Sequence, residues 1–441
     1  MDAAEFVGPS LYEFFLRGFA FATRMTCWKG HHAMKKLNSK RTARTANFFP
    51  SRAQVFVLAM SAMCVAFAAS LNAQLPCPAV ETFATGLLAP SKIIQSPRGN
   101  FIVAEGGSEV PNHGRVSIVD KRGNRRTLID GLPSARTFVG DFNGTTGVYL
   151  EGRTLFVLNG QGDVTLAGPV PGTEKANPTP ASPIFSSLLA VTFSGDMEEK
   201  TTGVTLTLAD HHALKSGRPL VRSDSKGRRM IVQLIADFAD YAPEPRPNFA
   251  DNVRHSHPYG VVGWGPFLYV VDAGFNIVRK VNIFSGEVVT LATFAPTPNP
   301  RLPAGPPVLE NVPTSIRWDG HQLTVTLLSG GPFFIPGFSQ VQQVDPRTGV
   351  ITPTITGLSS AIDVTPLRTR GCDESYLTLE HNLTFPVPGP GRLQYFSAPD
   401  APSVVLVDCL TTPTSMVLDR RSNRLVISEL ATGRLVALEL P

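Results

Sequence analysis

Pro258-Tyr-Gly-Val-Val, Phe267-Leu-Tyr-Val-Val-Asp272, Val278-Arg-Lys-Val-Asn282 and Glu287-Val-Val-Thr-Leu291 follow one another along the chain. Each is a short run rich in β-branched or aromatic residues, bounded by Gly, Asn, Ser or Pro, the pattern of a strand between tight turns. The second run is apolar until it closes on an acid, as expected of a strand covered on both faces. Four strands joined this closely pair as an antiparallel meander, and one such meander is too small to bury its own faces.

The same succession recurs on both sides. Pro90-Ser-Lys-Ile-Ile, Arg98-Gly-Asn-Phe-Ile-Val-Ala-Glu105, Gly114-Arg-Val-Ser-Ile-Val-Asp120 and Arg125-Arg-Thr-Leu-Ile129 form an earlier copy. Pro313-Thr-Ser-Ile-Arg with Gln322-Leu-Thr-Val-Thr326, Gln340 to Asp345 and Gly349 to Thr352, and Pro413-Thr-Ser-Met-Val with Asn423 to Glu429 and Gly433 to Leu438, form later ones. The spacing of 55 residues from Pro258 to Pro313 and 100 from Pro313 to Pro413 leaves room for a further copy, opening at Ala361-Ile-Asp-Val-Thr365. Another opens at Thr146-Gly-Val-Tyr-Leu and Thr154 to Leu158, and resumes at Leu220 and Met230 to Ile235 after an insertion over about 160–217.

Six units of four short strands at a period near 50 residues predict an all-β, six-bladed β-propeller with four-stranded antiparallel blades. The last copy lacks a fourth strand after Leu438, so the unassigned Val80-Glu-Thr-Phe-Ala84 is expected to complete it and close the ring. A two-sheet sandwich would not require a repeat of this length.

Composition agrees. Of 441 residues, 38 are Gly and 38 Pro, 42% are hydrophobic and only 17% charged, which argues against a fold dominated by long helices and excludes coiled coil, collagen and disorder. The net charge of +5 belongs to the first 73 residues, which hold nine Lys/Arg and three acids; the rest holds 31 basic and 32 acidic residues. A body with no excess of positive charge gives no electrostatic support for nucleic-acid binding.

The leader has the three parts of a secretory signal: a basic stretch from Lys35 to Arg52, an apolar run Val55 to Leu71, and Asn72-Ala73-Gln74, with cleavage expected at Ala73. An uncleaved anchor is the competing reading. The organisation is thus 1–73 leader and 74–441 propeller, secreted or periplasmic and monomeric, with membrane contact only through an uncleaved leader. Cleavage leaves Cys77, Cys372 and Cys409; an exported chain favours one disulfide, and Cys372 with Cys409 is the expected pair, although spacing cannot fix connectivity.

Gly86-Leu-Leu-Ala-Pro90 with Gly99 to Glu105, His257-Pro-Tyr-Gly260, Leu268-Tyr-Val-Val-Asp-Ala-Gly-Phe-Asn276 and Val312-Pro-Thr-Ser315 resemble the ScyD/ScyE family, related to NHL-type propellers. The resemblance spans roughly 80–441 and implies an exported six-bladed propeller, without defining a reaction. The long second-blade insertion and weak fifth blade depart from the family pattern.

Asn252, His255, His257 and Tyr259 are the densest polar cluster, just before and within the innermost strand of blade three. Local ordering of that strand is one reading; contact with a ligand at the channel mouth is the other. Glu105, Asp272 and Glu429 recur 15, 14 and 16 residues after their prolines, which points to a shared structural task, accepting backbone N–H groups at a strand end. Their convergence on an axial Ca²⁺ is the sharper alternative. Asp210-His-His-Ala reads as a polar turn rather than a metal site. Hydrolase, zinc-protease and nucleotide-binding motifs are absent from the sequence. The expectation is a binding or scaffolding module for a small molecule or an envelope or extracellular protein, with no cofactor. The alternative is an enzyme of lactonase or quinone-dependent sugar dehydrogenase type using a divalent cation in the channel.

Overall fold

The computed structural model describes residue 77 and residues 79–440, apart from 304–306, 331–333, 369–373, 386 and 420. The leader expected over 1–73 and Cys372 lie outside the described residues. Within them the chain is a six-bladed β-propeller.

Blade three illustrates the unit. Pro258–Trp264 is innermost, followed outward by Phe267–Asp272, Ile277–Asn282 and Val288–Thr293. The second strand is buried almost throughout, because blades on either side cover both its faces; the fourth strand, at the rim, is half exposed, with Val289, Thr290 and Thr293 open to solvent. Blades four and five repeat this plan from Asn311–Trp318 to Ile351–Leu358 and from Ala361–Arg368 to Val404–Leu410. The fifth blade, weakest in the sequence, is therefore regular. In blade six, Pro413–Asp419, Arg424–Glu429 and Arg434–Glu439 are joined by Glu81–Ala84, which pairs antiparallel with Arg434–Glu439. Apolar side chains pack between neighbouring blades, as where Ile102, Val116 and Leu128 of blade one meet Leu155, Val157 and Leu189 of blade two.

Each innermost strand carries a bulge in its first half, seen for instance between Pro258 and Gly260 and between Pro413 and Ser415. The bulged residue is Ser91, Thr146, Thr314 or Thr414 in blades one, two, four and six. Its hydroxyl donates to the next blade's backbone: Ser91 Oγ to Thr145 O at 2.9 Å, Thr146 Oγ1 to Pro258 O at 2.7 Å, Thr314 Oγ1 to Ala361 O at 2.9 Å and Thr414 Oγ1 to Pro90 O at 2.7 Å. The dipeptides that open these repeats, Pro-Ser or Pro-Thr in blades one, four and six and Thr145-Thr146 in blade two, thus staple neighbouring blades around the channel. Blade five has Ile362 at this position, and His381 Nδ1 meets Pro413 O at 2.9 Å instead. Blade three has Tyr259.

Blade two departs from the expected layout. Ser187–Phe193, assigned to the insertion, is its third strand, paired on one side with Thr154–Asn159 and on the other with Arg229–Asp237. The apolar Ser187-Leu-Leu-Ala-Val-Thr-Phe193 is nearly all buried, and only a central place in a sheet covers both its faces. Leu220–Ser223 is a fifth strand at the rim. Two shorter excursions replace the single insertion. The first carries a hairpin of Thr165–Ala167 and Glu174–Ala176; the second adds Val204–Thr205 in parallel to the outer strand of blade one. Asp210-His-His is no turn: it lies in a helix, Leu208–Lys215, closed at its start by a capping box between Thr207 and Asp210. His211 is buried between Ser182 Oγ and Gly131 O while His212 is exposed, so the two imidazoles do not converge.

The disulfide also differs from expectation. Cys409 bonds to Cys77, not Cys372, with Cα atoms 5.3 Å apart. The pairing of Glu81–Ala84 at the rim of blade six carries Cys77 to the rim strand of blade five, where Cys409 lies.

Candidate functional site

The last residue of each second strand is wholly or almost wholly buried in all six blades: Glu105, Asn159, Asp272, Ser329, Glu380 and Glu429. Each acid meets an arginine from the third strand of its own blade: Arg115 with Glu105 at 2.7 Å, Arg279 with Asp272 at 2.7 Å, and Arg392 and Arg434 with Glu380 and Glu429 at 2.5 Å. Each also accepts backbone N–H groups from the incoming connection, such as Thr411 N on Glu429 at 2.7 Å and His257 N on Asp272 at 2.8 Å. Glu105, Asp272 and Glu429 therefore stand apart, one per blade, each tying a strand end to the loop beside it. Only Glu105 Oε1 among their oxygens is buried without a partner. Among the described residues no three His, Cys, Asp or Glu side chains are grouped to hold a metal ion.

A second polar group lines the channel itself, and it does not repeat. His255, His257 and Tyr259 alternate along one stretch of extended chain, so their side chains share a face. Their rings descend from the end where the blades connect: His255 to His257 at 6.3 Å, then His257 edge-on to Tyr259 at 5.4 Å. Lys92 Nζ of blade one sits 5.2 Å from the centre of the Tyr259 ring and 3.4 Å from Ile362 O of blade five. Blades three and five do not adjoin blade one, so this ammonium lies near the propeller axis. Below it, Asp363 of blade five is clamped by Arg317 and Ser315 of blade four and by Ser415 Oγ and Met416 N of blade six.

The upper end is collared on one side. Hairpins Ala135–Arg136/Phe142–Asn143 and Tyr241–Pro243/Val253–His255 precede blades two and three, and the 165–176 hairpin joins them. Glu174 accepts from or pairs with His255 Nδ1 at 2.8 Å and Phe138 lies 5.7 Å from the His255 ring. Asn252 serves the collar, not the channel: its Oδ1 takes Glu174 N and its Nδ2 donates to Glu244 O, both at 2.8 Å. Gly274 lets this collar settle, since a Cβ there would lie 2.1 Å from His255 O. Between blades five and six, by contrast, the link is only Thr411 and Thr412.

Electrostatics separate the channel groups. Burial pushes His257 down to about 4, with His255 adding to the effect, so it is neutral near pH 7. Asn143 Nδ2 donates to its Nε2 at 2.8 Å, which places the ring proton on Nδ1. Burial likewise lowers Lys92 to about 8; Asp363 opposes this and Arg317 reinforces it. Burial and the neighbouring Asp363 and Asp141 raise Tyr259 far above the ordinary phenol range. Burial would raise Asp363, but Arg317, Lys92 and the hydroxyl of Ser315 hold it well below the usual carboxylate value. His257 and Tyr259 nonetheless keep part of their surface open, as channel-lining side chains do.

The sequence placed His255, His257 and Tyr259 together, and they are together. It missed Lys92, Asp363 and Arg317. The signal was present in the repeats: the residue after the bulge is Lys92, Gly147, Gly260, Ser315, Asp363 and Ser415 in blades one to six, and only the first and fifth are charged.

No protein-family model matches the chain, and no curated protein does. Solved structures with similar folds include an oxidoreductase (glucose dehydrogenase) of Thermus thermophilus, 14% identical over 81% of this chain and 99% of its own, with a TM-score of 0.40. The PQQ-bound aldose sugar dehydrogenase of Streptomyces coelicolor is 13% identical over 82% and 99%, with a TM-score of 0.43. A chain of the nidogen/laminin complex is 10% identical over 75% and 98%, with a TM-score of 0.37.

Proposed function

We propose that the protein is an exported binding propeller of the ScyD/ScyE type, which admits a small ligand through the collared end of its channel. The observation that carries this reading is the non-repeating column of His255, His257, Tyr259 and Lys92. A residue with only a structural task in a repeat protein tends to recur, as the strand-end acids do. These four stand where the other blades carry different residues, and among the described residues Tyr259 Oη makes no hydrogen bond. Function on such a scaffold belongs to the site, not the fold.

Export is supported by the Cys77–Cys409 disulfide, a bond that persists in oxidising compartments. In this reading the leader is cleaved near Ala73 and Glu81–Ala84 closes the ring. The rival reading, a channel enzyme on a divalent cation, would have to draw Glu105, Asp272 and Glu429 out of their arginine pairs. Calcium and EDTA should therefore leave the melting temperature unchanged.

The test is a thermal-shift screen of small polar compounds against the purified protein, Tyr259→Phe, His257→Asn and, as control, the exposed His212→Asn. Compounds that stabilise the parent and His212→Asn should lose most of their effect on the other two. Equal stabilisation of all four would place binding elsewhere and overturn the reading.

A further inference from the structure

Lys92 is a buried cation without a counter-ion of its own. An ammonium offers three donors, and among the described residues Lys92 Nζ has one acceptor, Ile362 O at a long 3.4 Å. The carboxylate that acts on it is already full: Asp363 Oδ1 takes Ser315 Oγ, Arg317 Nε and Val364 N, and Oδ2 takes Arg317 Nη2, Ser415 Oγ and Met416 N. Lys92 and Arg317 against Asp363 leave this layer of the channel with one positive charge in excess. A buried charge is ordinarily paired, because removing it from water is costly.

The groups around Lys92 are donors too. Among the described residues Tyr259 Oη has no hydrogen-bond partner, and it keeps its proton; His257 presents Nδ1–H once Asn143 occupies Nε2. The carboxylates near the column are engaged: Glu174 by His255 and Thr165, Asp272 by Arg279 and Ser256, and Asp141, which also acts on His257 and Tyr259, by the Thr137 hydroxyl.

We propose that the channel takes a monoanionic ligand, a small carboxylate whose oxygens dock between Lys92 Nζ and Tyr259 Oη. This rests on the channel-binding reading above and adds to it the charge of the ligand. One excess positive charge and two convergent donors suit a carboxylate; a dianionic phosphate would leave the layer negative.

The experiment follows the Lys92 side chain by NMR in protein labelled at lysine Cε, its signal assigned by Lys92→Met or, should that variant not fold, by Lys92→Arg. The groups facing Lys92 are Tyr259 and His257 from blade three, Arg317 from blade four and Asp363 from blade five; burial lowers His257 and raises Tyr259, and Asp363 is held low, so a midpoint near 8 belongs to Lys92. Formate and benzoate should each raise the Lys92 midpoint saturably by about one unit, which is tenfold tighter binding to the charged form. Benzamide should leave it in place. Tyr259→Phe should weaken benzoate binding about fivefold. A midpoint that neither carboxylate moves overturns the proposal; should benzamide then perturb His257 while Lys92 stays unmoved, the channel binds neutral ligands and only the charge assignment falls.

Discussion

Two sets of buried charges sit a few residues apart in this ring and are built on opposite terms. At the second-strand ends, four carboxylates each meet an arginine and backbone N–H groups. On the axis, Lys92 meets a ring face and one carbonyl. The first set is repeated and, apart from Glu105 Oε1, locally satisfied; the second is singular and left short of partners among the described residues. In a repeat fold that contrast separates the charges that hold the blades from the one that the proposed ligand would complete, since an under-satisfied buried charge lowers stability unless something pairs with it.

The contrast can be broken most directly at Asp272. Arg279→Ala leaves a fully buried carboxylate without its cation and should cost about 3–5 kcal/mol in urea denaturation. A loss below about 1 kcal/mol would mean that the backbone N–H groups alone hold the acid, and the strand-end pairs would lose their standing as the structural set.

Acid should act next through the column. His257 titrates at about 4 in the folded protein against 6.5 in the unfolded chain. The unfolded state therefore binds more protons between those values, and stability falls as pH drops from 6.5 to 4, by up to about 3 kcal/mol. His257→Asn should flatten that part of the profile; an unchanged slope would locate the acid sensitivity elsewhere.

Lys92 should behave with the opposite sign from Arg279. Its folded value of about 8 lies below the 10.5 of a free lysine, so the charged form is disfavoured by folding, and stability should rise with pH from 8 to 10.5. Lys92→Met should then stabilise the protein by about 1–3 kcal/mol at pH 7. A destabilised variant would return Lys92 to the structural set. The smallest effect belongs to the hydroxyl staples: Thr146→Val, which frees Pro258 O, should cost about 1 kcal/mol by the same denaturation measurement.

The fold was legible in the sequence because each blade must hide a second strand on both faces, and Phe267 to Asp272 or Arg424 to Glu429 can do so only as continuous apolar runs. Blade two was misdivided for the same physical reason turned round. Ser187–Phe193 is as apolar as any second strand but lies beyond a hairpin, so spacing pointed to an insertion while burial demanded a sheet. The histidine column was legible because alternate positions on one strand need no long-range information. Lys92 was not, because its partners Tyr259 and Ile362 are far along the chain and approach only across the axis. The disulfide failed similarly: Cys77 and Cys409 are 332 residues apart, and sequence proximity favoured Cys372.

That disulfide turns most of the molecule into a macrocycle. Every peptide bond between Cys77 and Cys409 lies within one covalent loop, so a single protease cut in any connection from blade one to blade five leaves one unreduced molecule of unchanged mass apart from the added water. Fragments should appear on a gel only after reduction, and a pull applied at residues 77 and 409 would meet a closed link with no slack for the five intervening sheets to release.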